Sequence, residues 1–271
     1  MLAGAPLGAA NDRSVLNAYT VAGNPKSARR AVLIHSLAMD RGFWRPVAER
    51  MDCAVLLYDC TGHGESAKPA GSYTVEGFAE DLAALLDDVG WQRALLAGAS
   101  MGGCVALAFA AKYPERAAAL GLVDTTAWYG PEAPRQWEER AQIALAGGLE
   151  ALVDFQLTRW FTDAFRERHP DVVSQCVATF LKNDVNAYAA SCRMLGAADL
   201  RRSLAGIRVP TAVLVGEEDY ATPLAMAQTL HRGIAGSTLR VLKNARHLTP
   251  LERPDEVAAA LARLAAPVAV A

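Results

Sequence analysis

One pentapeptide restricts this chain more than any other stretch. Gly98-Ala99-Ser100-Met101-Gly102 fits G-x-S-x-G, between a short apolar run, Ala94-Leu95-Leu96-Ala97, and a helical run that begins after Ser100 and is closed by Pro114. If the apolar run is a strand, Ser100 lies on a tight strand-to-helix turn. Gly98 and Gly102 carry no Cβ, so backbone can cross close to itself there. Such a turn lifts the serine oxygen out of the fold, beside the unpaired N–H groups of a helix start. A strand before and a helix after are the context that separates a nucleophile elbow from an ordinary Gly/Ser turn.

The rest of the chain supplies a sheet for that turn. Ala31–Ile34, Ala54–Tyr58 and Ala118–Val123 are short apolar runs that read as buried strands. Phe43–Met51 reads as a helix, and Thr74 can cap another that runs to about Val89. In the latter, Phe78, Leu82, Leu85, Leu86 and Val89 share one face, and Gly90 ends it. Residues 1–13 read as a tail, Ser14–Val21 as an edge strand and Gly23-Asn24-Pro25 as a turn. Strands alternating with helices predict an α/β fold with a mostly parallel central sheet and helices on both faces. Sites in such sheets form beyond the carboxyl ends of the strands.

From Trp128 to about Leu200 no strand-like run occurs, and helical stretches fall at 137–145, 149–161, 172–182 and 185–195. This predicts an inserted all-helical lid over the sheet's active edge. Strands resume at Thr211–Gly216 and Thr238–Leu242, with a helix over Leu224–Arg232 between them and a final helix from Pro254. The expected organisation is 1–127 as the first part of the core, 128–200 as the lid and 201–271 as the second part of the core.

Composition narrows the function classes. With 52% apolar residues in 271, the chain can bury a sizeable core. A formal net charge of −2 offers no basic footprint for nucleic acid or an anionic membrane. Five cysteines without a C-x-x-C pair argue against a disulfide framework or a zinc site and fit reduced thiols. Met1–Ser14 lacks the basic start and apolar block of a signal peptide, and no 18-residue apolar run exists, so a cytoplasmic location is expected. No cofactor or metal is expected. The expected partner is a small molecule, and a homodimer stays open.

The chemistry-bearing residues follow from what a serine needs. Free serine is far too weak an acid to attack an ester, so an imidazole must take its proton and a carboxylate must hold that imidazole in the right tautomer. After a nucleophile elbow the expected order is Ser, acid, His. Here that order is Ser100, Asp219, His247, the latter two in loops just past predicted strands. His35, His63, His169 and His231 are weaker candidates for the base, and His63, between two glycines, reads as structural. Glu217 and Glu218 read as solvated, while Asp124, just past the strand after the elbow helix, is a second candidate acid. Backbone N–H groups of Met101 and of Leu37, in the loop after Ala31–Ile34, are the expected oxyanion donors.

The segments His35-Ser36-Leu37-Ala38-Met39-Asp40, Tyr58-Asp59-Cys60-Thr61-Gly62-His63-Gly64-Glu65-Ser66 and Tyr73-Thr74-Val75-Glu76 carry a resemblance, as do Arg159-Trp160-Phe161-Thr162, Tyr188-Ala189-Ala190-Ser191-Cys192 and Ala197-Ala198-Asp199-Leu200. Over nearly its whole length the chain resembles the α/β-hydrolase superfamily, and within it the 3-oxoadipate enol-lactonases and related carboxylesterases. The resemblance implies the α/β-hydrolase fold and hydrolysis of a small carboxylated lactone, or another small carboxylic ester, through an acyl-serine at Ser100 with Asp219 and His247. His35-Ser36 stands where most of the superfamily has His-Gly, and Ser is the tendency of the enol-lactonases. Thr61 departs from the Arg usual before the Gly-His-Gly turn. A substrate carboxylate would need a clamp, for which Arg135, Arg140, Arg159 and Arg193 are available. Arg135 and Arg159, with Trp137 and Trp160, are the expected pocket residues. The same triad also suits carbon–carbon hydrolysis of ring-cleavage diketones, and the same scaffold suits a ligand receptor without turnover.

Overall fold

A computed structural model describes residues 17–264, so the expected tail and the start of the expected Ser14–Val21 strand lie outside the described residues. Seven strands form one sheet: β1 (Tyr19–Gly23), β2 (Arg30–Ile34), β3 (Ala54–Tyr58), β4 (Ala94–Ala99), β5 (Ala117–Val123), β6 (Thr211–Gly216) and β7 (Thr238–Leu242), in the order β1-β3-β2-β4-β5-β6-β7. Only β1 is antiparallel, its Tyr19 opposite Tyr58 and its Gly23 opposite Ala54. Just before β1 the Ala18 carbonyl accepts from the Asp59 N–H (2.9 Å), the Asn17 side-chain amide donates to the Asp59 carbonyl (2.9 Å) and the Ala18 N–H donates to Ser66 Oγ (2.8 Å). β3, β4 and β6 are buried at every position and β2 at all but its first, whereas the edges β1 and β7 are partly exposed. That is why the inner strands read as unbroken apolar runs and β1 alternates.

Helices cover both faces. The expected 43–51 helix is a 3-10 turn (Arg41–Trp44) followed by α1 (Arg45–Ala48). α2 spans Val75–Asp88, its N-terminus capped by Thr74 Oγ1 accepting from Gly77 N–H. α3 (Met101–Lys112) is buried over its first ten residues, which explains a sequence that is apolar all round. Between β5 and β6 lie α4 (Ala133–Gly147), α5 (Val153–Trp160), α6 (Asp163–Arg168), α7 (Pro170–Leu181) and α8 (Val185–Ala197). The chain closes with α9 (Leu224–Gly233), α10 (Thr249–Glu252) and α11 (Pro254–Leu264). α6 and α10 are short additions that periodicity did not mark.

Two features place a site at the carboxyl edge. The chain runs from β2 to β3 on one side and then crosses to β4 on the other, so the strand order reverses between β2 and β4. In open sheets a reversal of this kind is where sites form, beyond the carboxyl ends of the strands. The helical segment is fastened above that edge. At its neck the Leu200 N–H donates to the Ala127 carbonyl (2.8 Å), and Trp128 bridges Asp199. Farther on, His247 N–H and Leu248 N–H donate to the Trp160 carbonyl (3.2 and 3.0 Å), and the Thr162 N–H to Glu252 Oε1 (2.8 Å).

The loops after β2 and β3 are braced by two buried histidines. His35 Nδ1–H donates to the Ser36 carbonyl (2.8 Å), so its Nε2 accepts from the Cys60 N–H (2.9 Å). His63 packs against it, ring centroids 5.1 Å apart, and donates to the Thr61 carbonyl (3.0 Å). Burial lowers the pKa of both, that of His63 to about 3. Unfolded, each titrates near 6.5. The unfolded chain therefore binds more protons as the pH falls; stability is complete above about pH 6.5 and is lost from there towards the lower folded values. Urea unfolding between pH 7 and 5 should show stability falling by up to about 1.4 kcal/mol per pH unit for each such histidine, and a His63→Gln chain should show a shallower slope.

Candidate active site

Ser100 occupies the junction of β4 and α3 with φ 53° and ψ −115°. A non-glycine residue in this region is strained by roughly 1–3 kcal/mol and persists only where its surroundings fix it. They do so closely here: a Cβ on Gly98 would lie 2.0 Å from the Gly102 carbonyl oxygen, and one on Gly102 would lie 2.1 Å from that of Ile34. The Ser100 N–H donates to the Val123 carbonyl (3.0 Å), and Thr125 Oγ1 donates to the Ser100 carbonyl (2.6 Å). Ser100 Oγ is 3.0 Å from His247 Nε2.

His247 comes from the loop after β7 and Asp219 from the loop after β6. His247 Nδ1 is 2.8 Å from Asp219 Oδ2. An ionised carboxylate only accepts, so Nδ1 carries the hydrogen and Nε2 keeps a lone pair for the Ser100 hydroxyl. Asp219 is itself held: Oδ1 accepts from the N–H groups of Ala221 (2.8 Å) and Thr222 (2.9 Å), and Oδ2 from the Thr222 hydroxyl (2.8 Å). Burial opposes its ionisation, but the charge of His247 and these hydrogen bonds outweigh it and hold the carboxyl below its usual range. All three side chains are buried, with 6% of Ser100, 4% of Asp219 and 7% of His247 exposed.

Asp124, the other candidate acid, makes no hydrogen bond to His247. Its φ is 46°, and its oxygens are taken by the Gly216 N–H (3.0 Å) and by the N–H and hydroxyl of Thr249 (3.0 and 2.6 Å). It ties the end of β5 to β6 and to the loop carrying His247. Burial, and then the charge of Asp219, push its carboxyl well above the usual range. Of the other candidates, Glu217 and Glu218 are exposed, and Glu218 pairs with Arg246 (3.1 Å). Asp59 is buried and pairs with Arg41, and its Oδ2 accepts from the Glu65 N–H (2.9 Å).

Leu37 and Met101 follow the neighbouring strands β2 and β4, and neither backbone N–H has a hydrogen-bond partner among the described residues. The Leu37 loop is shaped by Ala38, at φ 58°.

The expected pocket residues divide. Arg135 is a correction: it is solvent-exposed and pairs with Glu132 (3.1 Å) and Glu139 (2.6 Å) on the outer face of α4. Five residues on, about 140° around the same helix, Arg140 points inward. It lies 4.9 Å from the ring centres of both Trp137 and Phe155 and donates to Gln156 Oε1 (2.5 Å). Trp137 meets Tyr129 edge-on at 5.3 Å. Trp160 is buried against Phe161 and Phe180 and gives its carbonyl to the His247 loop. Arg159 stacks between Phe155 (4.9 Å) and Tyr220 (5.3 Å), next to Asp219 in sequence. Burial, and then the like charge of Arg140, lower its pKa. Arg193 is held at the surface by Glu138 (2.7 Å).

Tyr129 and Gln156 have no counterpart in the sequence reading. Gln156 left a signal: a polar residue one helical turn from both Leu152 and Trp160, on a stripe that is buried. Tyr129 left none, because its position depends on how the neck turns. Its buried hydroxyl and the buried Arg140 Nε–H both lack a partner among the described residues.

The profile described as "Alpha/beta hydrolase family" matches residues 31–260. The chain belongs to this family. Among its relatives, a 3-oxoadipate enol-lactonase of Acinetobacter baylyi is 36% identical over 201 residues, 74% of either chain. The structure is similar to that of an enol-lactonase from Burkholderia xenovorans, with a TM-score of 0.88 and 35% identity over 92% of this chain and 95% of that one. It is also similar to a malate-bound thermophilic esterase from Thermogutta terrifontis, with a TM-score of 0.86 and 30% identity over 92% and 94%. These likenesses support an alpha/beta hydrolase acting on esters or lactones. Among the described residues no helix is long and apolar enough to cross a membrane.

Within this alpha/beta hydrolase the two buried carboxylates should separate by experiment. Asp124→Ala leaves three buried donors unpaired and should lower stability by roughly 2–5 kcal/mol, read from the urea midpoint.

Proposed function

We propose that the protein is a serine hydrolase of small carboxylic esters or lactones, working through an acyl-serine at Ser100. The observation that carries this reading is the hydrogen-bonded series from Ser100 Oγ to His247 Nε2 (3.0 Å) and from His247 Nδ1 to Asp219 (2.8 Å). His247 takes the serine proton as Oγ attacks the substrate carbonyl. The resulting imidazolium is stabilised by Asp219, whose carboxylate stays ionised because its lone pairs are already engaged. The N–H groups of Leu37 and Met101 receive the oxyanion. His247 then returns the proton to the leaving oxygen, which in a lactone stays tethered to the acyl group. Water activated by the same imidazole releases Ser100.

The substrate class is read from the cations of the helical segment. Arg140 and Arg159 are partly buried cations with no carboxylate partner among the described residues. Arg140 Nε–H and the Tyr129 hydroxyl are donors without acceptors. Buried donors of this kind are expected to find a partner. A substrate carboxylate supplies one, which favours a carboxylated lactone like the substrate named for the enol-lactonase relatives.

Ser100→Ala should abolish turnover of an activated aryl ester while the circular dichroism spectrum is unchanged, and a fluorophosphonate should label Ser100 alone. Retained turnover in that variant would refute the role. For the clamp, Arg140→Met should lower kcat/KM for a carboxylated lactone by roughly 10–100-fold and that for its neutral methyl ester by less than about 3-fold, since a hydrogen bond to a charged group contributes about 1.5–3 kcal/mol. Equal losses on both substrates would remove Arg140 from carboxylate recognition.

A further inference from the structure

From the contact between the helical segment and the loop after β2, we infer that Asn183 is a positioning residue for the oxyanion donor at Leu37. The inference rests on the serine-hydrolase reading above and goes beyond it, because it places part of the oxyanion geometry under the control of the helical segment.

Asn183 lies in the turn between α7 and α8. Its amide nitrogen donates to the carbonyl of Ala38 at 2.8 Å, across 145 residues of sequence. The same nitrogen also lies 2.9 Å from the Thr179 carbonyl and 3.0 Å from that of Phe180, which anchors it to the end of α7. The amide orientation is fixed by this set: turned over, its oxygen would face three carbonyl oxygens.

What Asn183 holds is a strained residue. Ala38 is fully buried and sits at φ 58°, a left-handed conformation that a side chain with Cβ disfavours. Strain of this kind persists only where neighbours over-determine it. Upstream, the Ser36 carbonyl is engaged twice, by the His35 ring and by the Met39 N–H (3.1 Å). Downstream, the Ala38 carbonyl has the Asn183 amide. Leu37 lies between these two fastenings: its N–H shares a peptide plane with the Ser36 carbonyl, and the Leu37–Ala38 peptide joins that plane to the carbonyl that Asn183 holds. Packing buries the Ala38 side chain, but among the described residues the Asn183 amide alone donates to its carbonyl. A cavity of about 520 Å³ opens beside it, lined by Met39, Phe43, Cys176, Thr179 and Asn183 among others. With room on that side, the loop can relax once the hydrogen bond is gone.

The test compares the unaltered chain with Asn183→Ala and with Asn183→Asp, which keeps the shape and replaces the donor by a carboxylate facing the Ala38 carbonyl. Three readings are taken: kcat and KM on an aryl ester, the melting temperature, and backbone hydrogen–deuterium exchange over residues 36–40. The expected result is a kcat lowered by about 10-fold or more, since loss of a whole oxyanion donor costs 100–1,000-fold. KM should stay within about 3-fold, because the donor acts on the transition state, and exchange over 36–40 should be faster in both variants at nearly unchanged melting temperature. Unchanged exchange overturns the inference. So does faster exchange with unaltered kcat, or a loss of kcat matched by a loss of folded protein. An unaltered chain that neither turns over esters nor reacts with a fluorophosphonate would defeat the serine-hydrolase reading separately, and with it the role inferred for Asn183, whatever the exchange data show.

Discussion

The site depends on one backbone distortion. Ser100 is held at φ 53°, ψ −115° between a buried strand and a buried helix, and that conformation exists only because two close backbone approaches exclude a side chain at Gly98 and Gly102. The same turn does three things at once. It carries the serine oxygen past the end of β4, it starts α3 with a Met101 N–H that has no partner among the described residues, and it brings the first turn of α3 against the Ile34 carbonyl of β2. Strain at one residue thus sets the spacing between the ends of β2 and β4. The stabilisation that sustains it comes from burial of apolar β4 and α3 around it rather than from any polar contact of the serine side chain.

Two carboxylates buried near one another would be costly if both had to be charged without partners. The fold separates them by what it offers each. Asp219 receives two N–H groups, a hydroxyl and an imidazole, and is held ionised. Among the described residues Asp124 has no basic side chain within bonding distance, and its carboxyl is pushed up by burial and by Asp219. Opposite displacements of neighbouring titratable groups assign different roles to the same side-chain type. Asp124 joins β5, β6 and α10, so the loops bearing Asp219 and His247 are braced by a residue that does not touch the imidazole.

Much of this was legible in the chain. The strands read from Ala54–Tyr58 and Thr211–Gly216 match β3 and β6, because an inner strand of a sheet is apolar nearly throughout and ends where the turn residues begin; Thr238–Leu242 matches the edge strand β7, bounded by Gly236-Ser237 before it and Lys243-Asn244 after it. The residues brought together around Ser100 were legible for a related reason: each lies just past a strand, where the sheet must deliver it. What was not legible depends on the rotation of helices. Arg135 and Arg140 belong to one helix and differ in sequence only by position. Facing outward, Arg135 meets Glu132 and Glu139; facing inward, Arg140 meets Trp137, Phe155 and Gln156. A charge at a given position does not reveal which face it occupies when the helix has few buried residues, and α4 buries only Ala133, Ala141 and Ala144. Asn183 was silent because its partner lies on another element altogether.

The fastenings of the helical segment are uneven, and their placement matters. On the side of the acid and the imidazole, Trp160, Thr162 and Phe161 are tied to the 246–252 loop by several hydrogen bonds, and the Arg246 guanidinium reaches the carbonyls of Thr158 (2.7 Å) and Phe161 (2.9 Å). On the side of the loop after β2, one amide hydrogen bond among the described residues bridges to the helical segment, beside a cavity. Local opening is easiest where few buried contacts oppose it. The stiff side therefore coincides with the two residues whose mutual distance must stay near 2.8 Å, and the compliant side with the loop between β2 and the turn of α7 and α8. This asymmetry lets one wall give way without disturbing the hydrogen bonds that join Ser100, His247 and Asp219 on the other.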